Sequence, residues 1–229
     1  MNIRGLVPFS LIDYPGKICA VVFSGGCNMR CPFCHNPCLV ADPESQPEIP
    51  VETLLELLES RRGLLEGVVF SGGEPTLQDD LDEFLAKVKS MGYCVKLDTN
   101  GTLPHRVSAL LEKNLLDAAG VDYKFPAQRY DGLAPRVQES IRLLLAAGVE
   151  LDIRTTVHPG FLSFDDLTQM RDELLELGVS QWALQQFNEV ETLDDSLAAI
   201  PRYSDEQLLH FSRDLGDFVH VRGLLRKDF

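Results

Sequence analysis

Cys27, Cys31 and Cys34 sit on one short stretch, Cys27-Asn-Met-Arg-Cys31-Pro-Phe-Cys34, directly after the apolar run Ile18 to Phe23. Three thiolates on one loop, spaced C-x3-C-x2-C, can hold three corners of a cubane iron–sulfur cluster. The fourth iron then has no protein ligand and stays open to a small molecule, which points to chemistry rather than electron storage. Other readings compete. A structural zinc site closes with four ligands, typically in two separated pairs; here His35 or Cys38 would have to complete the set within the same loop, a poor match to a tetrahedron. The bacterial ferredoxin run is C-x2-C-x2-C-x3-C-P, whereas this chain has three residues in the first gap and Leu39 after Cys38. Disulfides require an oxidising compartment, and no sequence feature places the chain in one.

The elements that must position such a loop are bounded by composition. A chain of 229 residues with 45% hydrophobic content can bury one core of ordinary size, and one domain over 1–229 is expected. The net charge of −14, from 21 basic and 35 acidic residues, argues against general affinity for nucleic acid. Met1 to Phe9 contains Arg4 and Pro8 and no long apolar stretch, unlike a secretory leader. No run approaches the length of a membrane span. A cytoplasmic protein without nucleic-acid or membrane partners is expected. Arg4, Lys17 and Arg30 lie near the cysteine loop in sequence and could form a basic patch for an acidic electron donor.

After a proline-rich stretch, Ala41 to Pro50, apolar β-type runs alternate with helical patterns. Strands are expected to begin near Gly67, Cys94, Gly120, Glu150 and Gln181. Helical spacing between them is carried by Leu81, Phe84, Leu85 and Val88, by Val137, Ile141, Leu144 and Leu145, and by Leu167, Met170, Leu174 and Leu177. Strand then helix, repeated at about thirty residues, is the signature of a parallel sheet. With Ile18 to Phe23 the units number six, short of the eight that close a full barrel. The expectation is an α/β fold, an incomplete (β/α)6 barrel of parallel strands with outer helices; a doubly wound open sheet is the rival. Both put function at the carboxyl ends of the strands.

The remaining motifs fall at those ends. Ser71-Gly72-Gly73-Glu74-Pro75 closes the second strand, Asp98-Thr99-Asn100-Gly101 the third and Asp122-Tyr123-Lys124 the fourth, while Arg154 lies in the fifth. Side chains alternate across a strand. Asp152, Arg154 and Thr156 therefore share one face, as do Asp122 and Lys124, and as do Cys94, Lys96 and Asp98. Charges are rarely buried without partners. These faces are either salt bridges filling a barrel or a polar cavity for a charged or zwitterionic ligand, with Asp152 and Lys96 the members most readily explained as structural.

Cys27-x3-Cys31-x2-Cys34, with Phe33 before the last cysteine, followed about forty residues on by Ser71 to Pro75, resembles the radical S-adenosylmethionine (radical SAM) superfamily. Phe9-Ser-Leu-Ile-Asp-Tyr-Pro-Gly-Lys17 and Cys31-Pro-Phe-Cys-His-Asn-Pro37 are similar to the activating enzymes of glycyl radical enzymes, most closely those of anaerobic ribonucleoside-triphosphate reductase. The resemblance runs from about Ile3 to Gln186 and more loosely to Arg226. It implies a [4Fe–4S] cluster on three cysteines, with SAM chelating the open iron. It implies that an electron from the reduced cluster cleaves the sulfonium, and that the resulting 5′-deoxyadenosyl radical takes hydrogen from a backbone glycine of the partner enzyme. A flavodoxin- or ferredoxin-type donor would supply the electron.

Residue by residue, the resemblance implies Cys27, Cys31 and Cys34 as cluster ligands and Phe33, Cys34 and His35 as contacts to adenine. It implies Gly72, Gly73 and Glu74 at the methionine amino group. It implies Asp98, Thr99, Asp122 and Lys124 at the SAM carboxylate and a monovalent cation, Arg154 on the SAM side, and Asp13 beside the incoming glycyl loop. The chain departs from the pattern at Ser24-Gly25-Gly26, where relatives often have Thr-Gln-Gly. No cysteine-rich insertion follows Cys34, so auxiliary clusters are not expected. Cys38 is not expected as a ligand, and Cys19 and Cys94 read as inert core residues. Gln185 and Gln186 are a weak match to the end of the adenine pocket. The alternatives are a radical SAM enzyme acting on a small molecule or peptide, an activator of a pyruvate formate-lyase-like enzyme, and a non-catalytic iron–sulfur or zinc module.

Overall fold

The computed structural model describes residues 1–188 and 191–224. Arg226, where the looser resemblance ends, lies outside them. Within them β1 (Ile3–Ser10), β2 (Cys19–Ser24), β3 (Gly67–Gly72), β4 (Cys94–Thr99), β5 (Ala118–Asp122), β6 (Glu150–Val157), β7 (Trp182–Gln186) and β8 (Val219–Arg222) form one sheet in sequence order. β1 runs antiparallel to β2, and every later pairing is parallel. A doubly wound sheet would reverse its order partway, so the sequential order excludes that rival. β1 and β8 stand at opposite edges and do not pair, so the curved sheet stays open rather than closing as a barrel.

The six expected strands are β2 to β7. The sheet adds a short parallel strand, β8, and the antiparallel edge β1, which reads Ile-Arg-Gly-Leu-Val-Pro-Phe-Ser. Proline lacks the N–H that a central strand needs and is tolerated at an edge or bulge. The register of β1 slips between Ile3 and Gly5 and again between Val7 and Ser10, around Pro8.

The helices α1 (Pro37–Ala41), α2 (Val51–Ser60), α3 (Leu81–Ser90), α4 (Pro104–Glu112), α5 (Ala134–Ala147), α6 (Phe164–Glu176) and α7 (Asp205–Leu215) follow the strands. Leu54 and Leu58 of α2, Phe84 and Val88 of α3, Val137 and Ile141 of α5, and Met170 of α6 meet Val68, Phe70, Val95, Leu97 and Ile153 of the strands in one large core. Local signals set the helix ends. Ser163 with Asp166 and Ser204 with Gln207 form capping boxes at the starts of α6 and α7, and Gly148, at φ 68°, stops α5. No helix among the described residues is long and apolar enough to cross a membrane.

The pairing register puts alternate strand residues on the inner face. Val21, Val69, Lys96, Ala118 and Glu150 align at one level, Asp98, Gly120 and Asp152 at the next, and Asp122, Arg154 and Ala183 above them. A second, small apolar cluster of Tyr14, Cys19, Val21, Val69 and Ala118, with Phe23 and Cys94 against it, fills the amino-terminal end of this interior. Tyr14 plugs it. Its ring lies so close to Gly67 that a Cβ there would sit 2.9 Å from it. Cys19 and Cys94 belong to this plug. At the plug the interior is apolar; above it, toward the strand carboxyl ends, it is charged.

Candidate functional site

The cysteine loop leaves β2 through Ser24-Gly25-Gly26. Gly25 donates to the Asn2 carbonyl at 2.9 Å and Gly26 to that of Leu39 at 2.8 Å, which ties the loop to β1 and α1. Gly72 and Gly73 lie directly on the same turn. Gly73 donates to the Ser24 carbonyl at 2.9 Å and Glu74 to that of Gly26 at 2.8 Å. A Cβ on Gly72 would collide with Ser24, and one on Gly73 with Gly26. The paired glycines therefore seat two strand-end loops backbone on backbone. The departure at Ser24-Gly25-Gly26 is half of that fit: a Cβ on Gly25 would stand 2.8 Å from Arg4 and 2.9 Å from Pro43.

A cavity of about 170 Å³ opens at this junction. Cys27, Cys31, Phe33, Cys34 and His35 line it from the loop, Gly72 and Gly73 from β3, Asp98 and Thr99 from β4, Asp122 and Lys124 from β5 and beyond, and Arg154 from β6. Two expected site residues do not line it. Glu74 is fully buried beneath the floor, where its carboxylate accepts from the Thr76 hydroxyl and amide, the Thr99 hydroxyl at 2.7 Å and the Asn100 amide at 2.7 Å. Burial pushes its carboxyl up, against the pull of these donors. Its side chain clamps the end of β3 to that of β4 and turns away from the cavity. Asp13 lies with Tyr14 on the turn before β2. Its carbonyl accepts from Lys96 at 2.8 Å and its carboxylate from the Ser10 hydroxyl.

Three thiols on one wall fit an iron–sulfur cluster by chemistry, since thiolate is its usual ligand. Burial raises the Cys27 and Cys31 thiols, and Lys124 opposes the rise at both. Among the described residues no three His, Cys, Asp or Glu side chains converge as the ligands of a single ion would; a cubane instead binds each thiolate to a different iron. Cys38 is exposed on α1 and does not line the cavity.

Opposite the cysteines the cavity wall alternates in charge. Lys96 bonds Asp98 at 2.6 Å; Arg154 reaches Asp98 at 3.3 Å and Asp122 at 3.1 Å; Lys124 reaches Asp122 at 3.1 Å. Burial opposes ionisation of Asp122, but Lys124 and Arg154 outweigh it and hold the carboxyl well below the usual range. Burial likewise opposes the charge on Lys124, and Asp122 outweighs it and holds the ammonium above its ordinary value. The interior thus holds salt bridges and, beside them, a cavity with a charged wall. Lys96 (1% exposed) and Asp152, which pairs with Arg222 at 2.8 Å, are structural, whereas Asp98, Asp122, Lys124 and Arg154 also face the cavity. A monovalent cation at Asp98 and Asp122 would compete with these ion pairs. The wall offers both signs within one ligand's reach, which suits a group bearing an amine and a carboxylate.

The loop side is aromatic. Phe33 stacks on Phe161 at 4.4 Å and meets Phe125 edge-on at 5.8 Å, with the Lys124 ammonium 5.7 Å above its ring. His35 faces Phe187 at 5.6 Å. Gln185 and Gln186 do not line the cavity, and Gln186 is committed to the Tyr203 carbonyl and Asp205. Ser71, Asn100 and Thr156, which the sequence placed in strand-end motifs or on the inward face without a site role, line the cavity; sequence reasoning missed Met29, which also lines it, and Gly120, which shapes it. A Cβ on Gly120 would overlap the Asp98 carboxylate and stand 3.2 Å from the Arg154 guanidinium. A glycine inside a strand, level with charged neighbours, was the available signal.

Residues 21–174 match the family profile described as the Radical SAM superfamily. The chain is 32% identical over 225 residues to a Methanocaldococcus jannaschii protein named as a glycyl-radical enzyme activating enzyme, covering 93% of this chain and 90% of that one. It is 28% identical to the pyruvate formate-lyase-activating enzyme of Clostridium pasteurianum, over 93% of this chain and 90% of that one. It is 29% identical to the pyruvate formate-lyase 2-activating enzyme of Escherichia coli, over 79% and 75%. In fold it is similar to Streptococcus suis SuiB bound to S-adenosylmethionine, with a TM-score of 0.68 at 17% identity over 89% of this chain. The chain spans about half the length of that protein (50%).

Proposed function

The chain belongs to the radical SAM superfamily, among the glycyl-radical-enzyme activating enzymes, and we propose that it installs the glycyl radical on anaerobic ribonucleoside-triphosphate reductase. Enzymes of this superfamily use a [4Fe–4S] cluster and SAM. When bound, the two supply a one-electron cleavage of the sulfonium whose products, once a hydrogen atom is taken from the partner's glycine, are methionine and 5′-deoxyadenosine.

One observation carries the reading. Three thiols of a single loop line the same cavity as charged side chains from three successive strand ends. In it Cys27, Cys31 and Cys34 hold the cluster. Lys124 and Arg154 bind the SAM carboxylate, and Asp122 and Asp98 keep those two cations charged and aimed. Gly72 and Gly73, with the backbone of Glu74, receive the methionine amino group, Thr99 completes that side, and Phe33 and His35 flank the adenine. The unpaired edges β1 and β8 leave the interior open laterally, the access that a polypeptide loop needs and a small molecule does not. The whole chain, 1–229, acts as one domain in the cytoplasm, with a flavodoxin- or ferredoxin-type protein as electron donor.

The reductase reading rests on the likeness of Phe9 to Lys17 and Cys31 to Pro37 to the activators of that enzyme, motifs that lyase activators share. A pyruvate formate-lyase-type partner is the second reading, favoured by the two lyase activators among the relatives. Anaerobic mixing of the reduced, reconstituted protein with SAM and each partner separates them. Electron paramagnetic resonance should show the glycyl doublet with the reductase. A doublet with the lyase alone would transfer the assignment, and SAM cleavage with no doublet on either would support the small-molecule reading.

A further inference from the structure

Asn100 is buried in the turn after β4, with 5% of its surface exposed, and it lines the cavity beside Cys27. Its side-chain oxygen accepts from the Thr102 backbone amide at 3.0 Å and from the Thr102 hydroxyl at 2.7 Å. A backbone nitrogen can only donate, so the oxygen must face Thr102 and the orientation of the side-chain amide is fixed. The NH2 group then points the other way. One N–H goes to the Asn28 side-chain oxygen at 2.8 Å, and the other is directed at Cys27 Sγ, 3.9 Å away. Asn28 closes the ring by donating to the Thr102 hydroxyl at 2.7 Å. From behind, Glu74 holds the Asn100 backbone amide at 2.7 Å. The same sulfur also lies 3.4 Å from the Met29 backbone amide, which donates to it.

We propose that Asn100 tunes the reduction potential of the cluster by donating an N–H···S hydrogen bond to the Cys27 thiolate. Reduction adds one electron, supplied by an external one-electron carrier, and spreads negative charge onto the ligand sulfurs. A fixed N–H dipole aimed at one of them stabilises the reduced form more than the oxidised form and raises the potential. Asn100 is a positioning residue: it touches a ligand sulfur rather than SAM. The buried Glu74 carboxylate gains a purpose here, because it fixes the turn that aims the amide. The inference rests on Cys27 being a cluster ligand.

The test is an anaerobic redox titration of the reconstituted full-length protein without SAM, following the reduced cluster by electron paramagnetic resonance. Asn100→Ala removes the donor, and the isosteric Asn100→Asp keeps the acceptor toward Thr102 while turning an oxygen toward the sulfur. Both should lower the potential, so that at the parent's midpoint the reduced-to-oxidised ratio falls at least about threefold, with Asn100→Asp lower than Asn100→Ala. Thr102→Val cuts the same side-chain ring but leaves the Thr102 backbone amide to hold the Asn100 oxygen, and it should keep the parent potential. A purely structural role would lower the melting temperature of all three and move none of the potentials, which overturns the proposal. So would a Thr102→Val shift equal to that of Asn100→Ala. Cys27→Ala separates the two layers. If it retains full cluster iron, the ligand assignment fails and the tuning role with it; if it loses the cluster while the Asn100 variants titrate like the parent, only the tuning role fails.

Discussion

The Arg154 guanidinium meets the Asp98 carboxylate at 3.3 Å by crossing the one position on the intervening strand that has no side chain, Gly120. Register puts Asp98, Gly120 and Asp152 at one level, so the glycine is the gap through which β4 and β6 exchange charge. Gly120→Ala should separate the pair. A methyl group forced into a filled site costs about 1–3 kcal/mol, visible as a lower denaturation midpoint of the protein without cofactors. Isothermal titration should show weaker SAM binding as well. Parent-like stability and affinity would mean that the pair is incidental.

Lys124 is the cavity cation with an aromatic ring beneath it and Asp122 beside it. Lys124→Ala should keep the fold, because Asp122 retains Arg154. The loss of one hydrogen bond to a charged group, about 1.5–3 kcal/mol, predicts SAM affinity about ten- to a hundredfold weaker. Equilibrium binding and circular dichroism on the same sample check both halves. Unfolding, with normal SAM binding in the remaining soluble fraction, would assign Lys124 to structure alone.

The ion pairs also set a pH window. The Asp122 carboxyl lies below its ordinary value of 3.8 in the folded state. A depressed acid stabilises above its unfolded pKa, and that contribution is lost as pH falls below 3.8. Lys124, raised above 10.5, behaves oppositely: its contribution is present below 10.5 and is lost as pH rises past it. Denaturant titrations should therefore show the parent's advantage over Asp122→Asn at neutral pH shrinking below pH 3.8. A difference constant through the acid range would show that the carboxylate's charge is not what stabilises.

The open parallel barrel was legible because strand and helix periods alternate at a steady spacing, and the charged interior because Asp152, Arg154 and Thr156 alternate within one run. β1 was not legible. Gly5, Pro8 and two register slips erase its alternation, and only its pairing with β2 makes it a strand. β8, Val219–Arg222, is too short to carry a period. Within the site, the cysteine loop and the strand-end motifs could be read directly. That Glu74 turns away from the cavity could not, since its partners Thr99 and Asn100 lie 25 and 26 residues on. Tyr14 was visible in its motif, but its burial follows from the room left by Gly67 across the interior.

Cys38 stands close in sequence to the loop of Cys27, Cys31 and Cys34 and is exposed on α1. Anaerobic reconstitution should give full cluster absorbance in Cys38→Ala and little in Cys31→Ala, because a cubane that loses one of three thiolates is not held. Loss in Cys38→Ala with retention in Cys31→Ala would reassign the ligand set.

Asp13 is joined to the cavity wall by two bonds in series: its carbonyl accepts from Lys96 at 2.8 Å, and the same ammonium bonds Asp98 at 2.6 Å. The turn is thereby fixed to the interior side of β4, while Leu11 and Ile12 beside it are 63% and 87% exposed. A glycyl loop entering the interior from the open side, between β1 and β8, would meet this turn, and only glycine lets a backbone approach so closely. The second oxygen of the Asp13 carboxylate can accept from that backbone while the first keeps the Ser10 hydroxyl. Asp13→Ala preserves the carbonyl that Lys96 needs, so SAM binding and SAM cleavage without partner should match the parent. Formation of the glycyl doublet on the partner should slow by about tenfold or more, the worth of a hydrogen bond to a charged group. An unchanged rate and yield of the doublet would remove Asp13 from the substrate site, leaving the turn as the start of β2 and the seat of Tyr14.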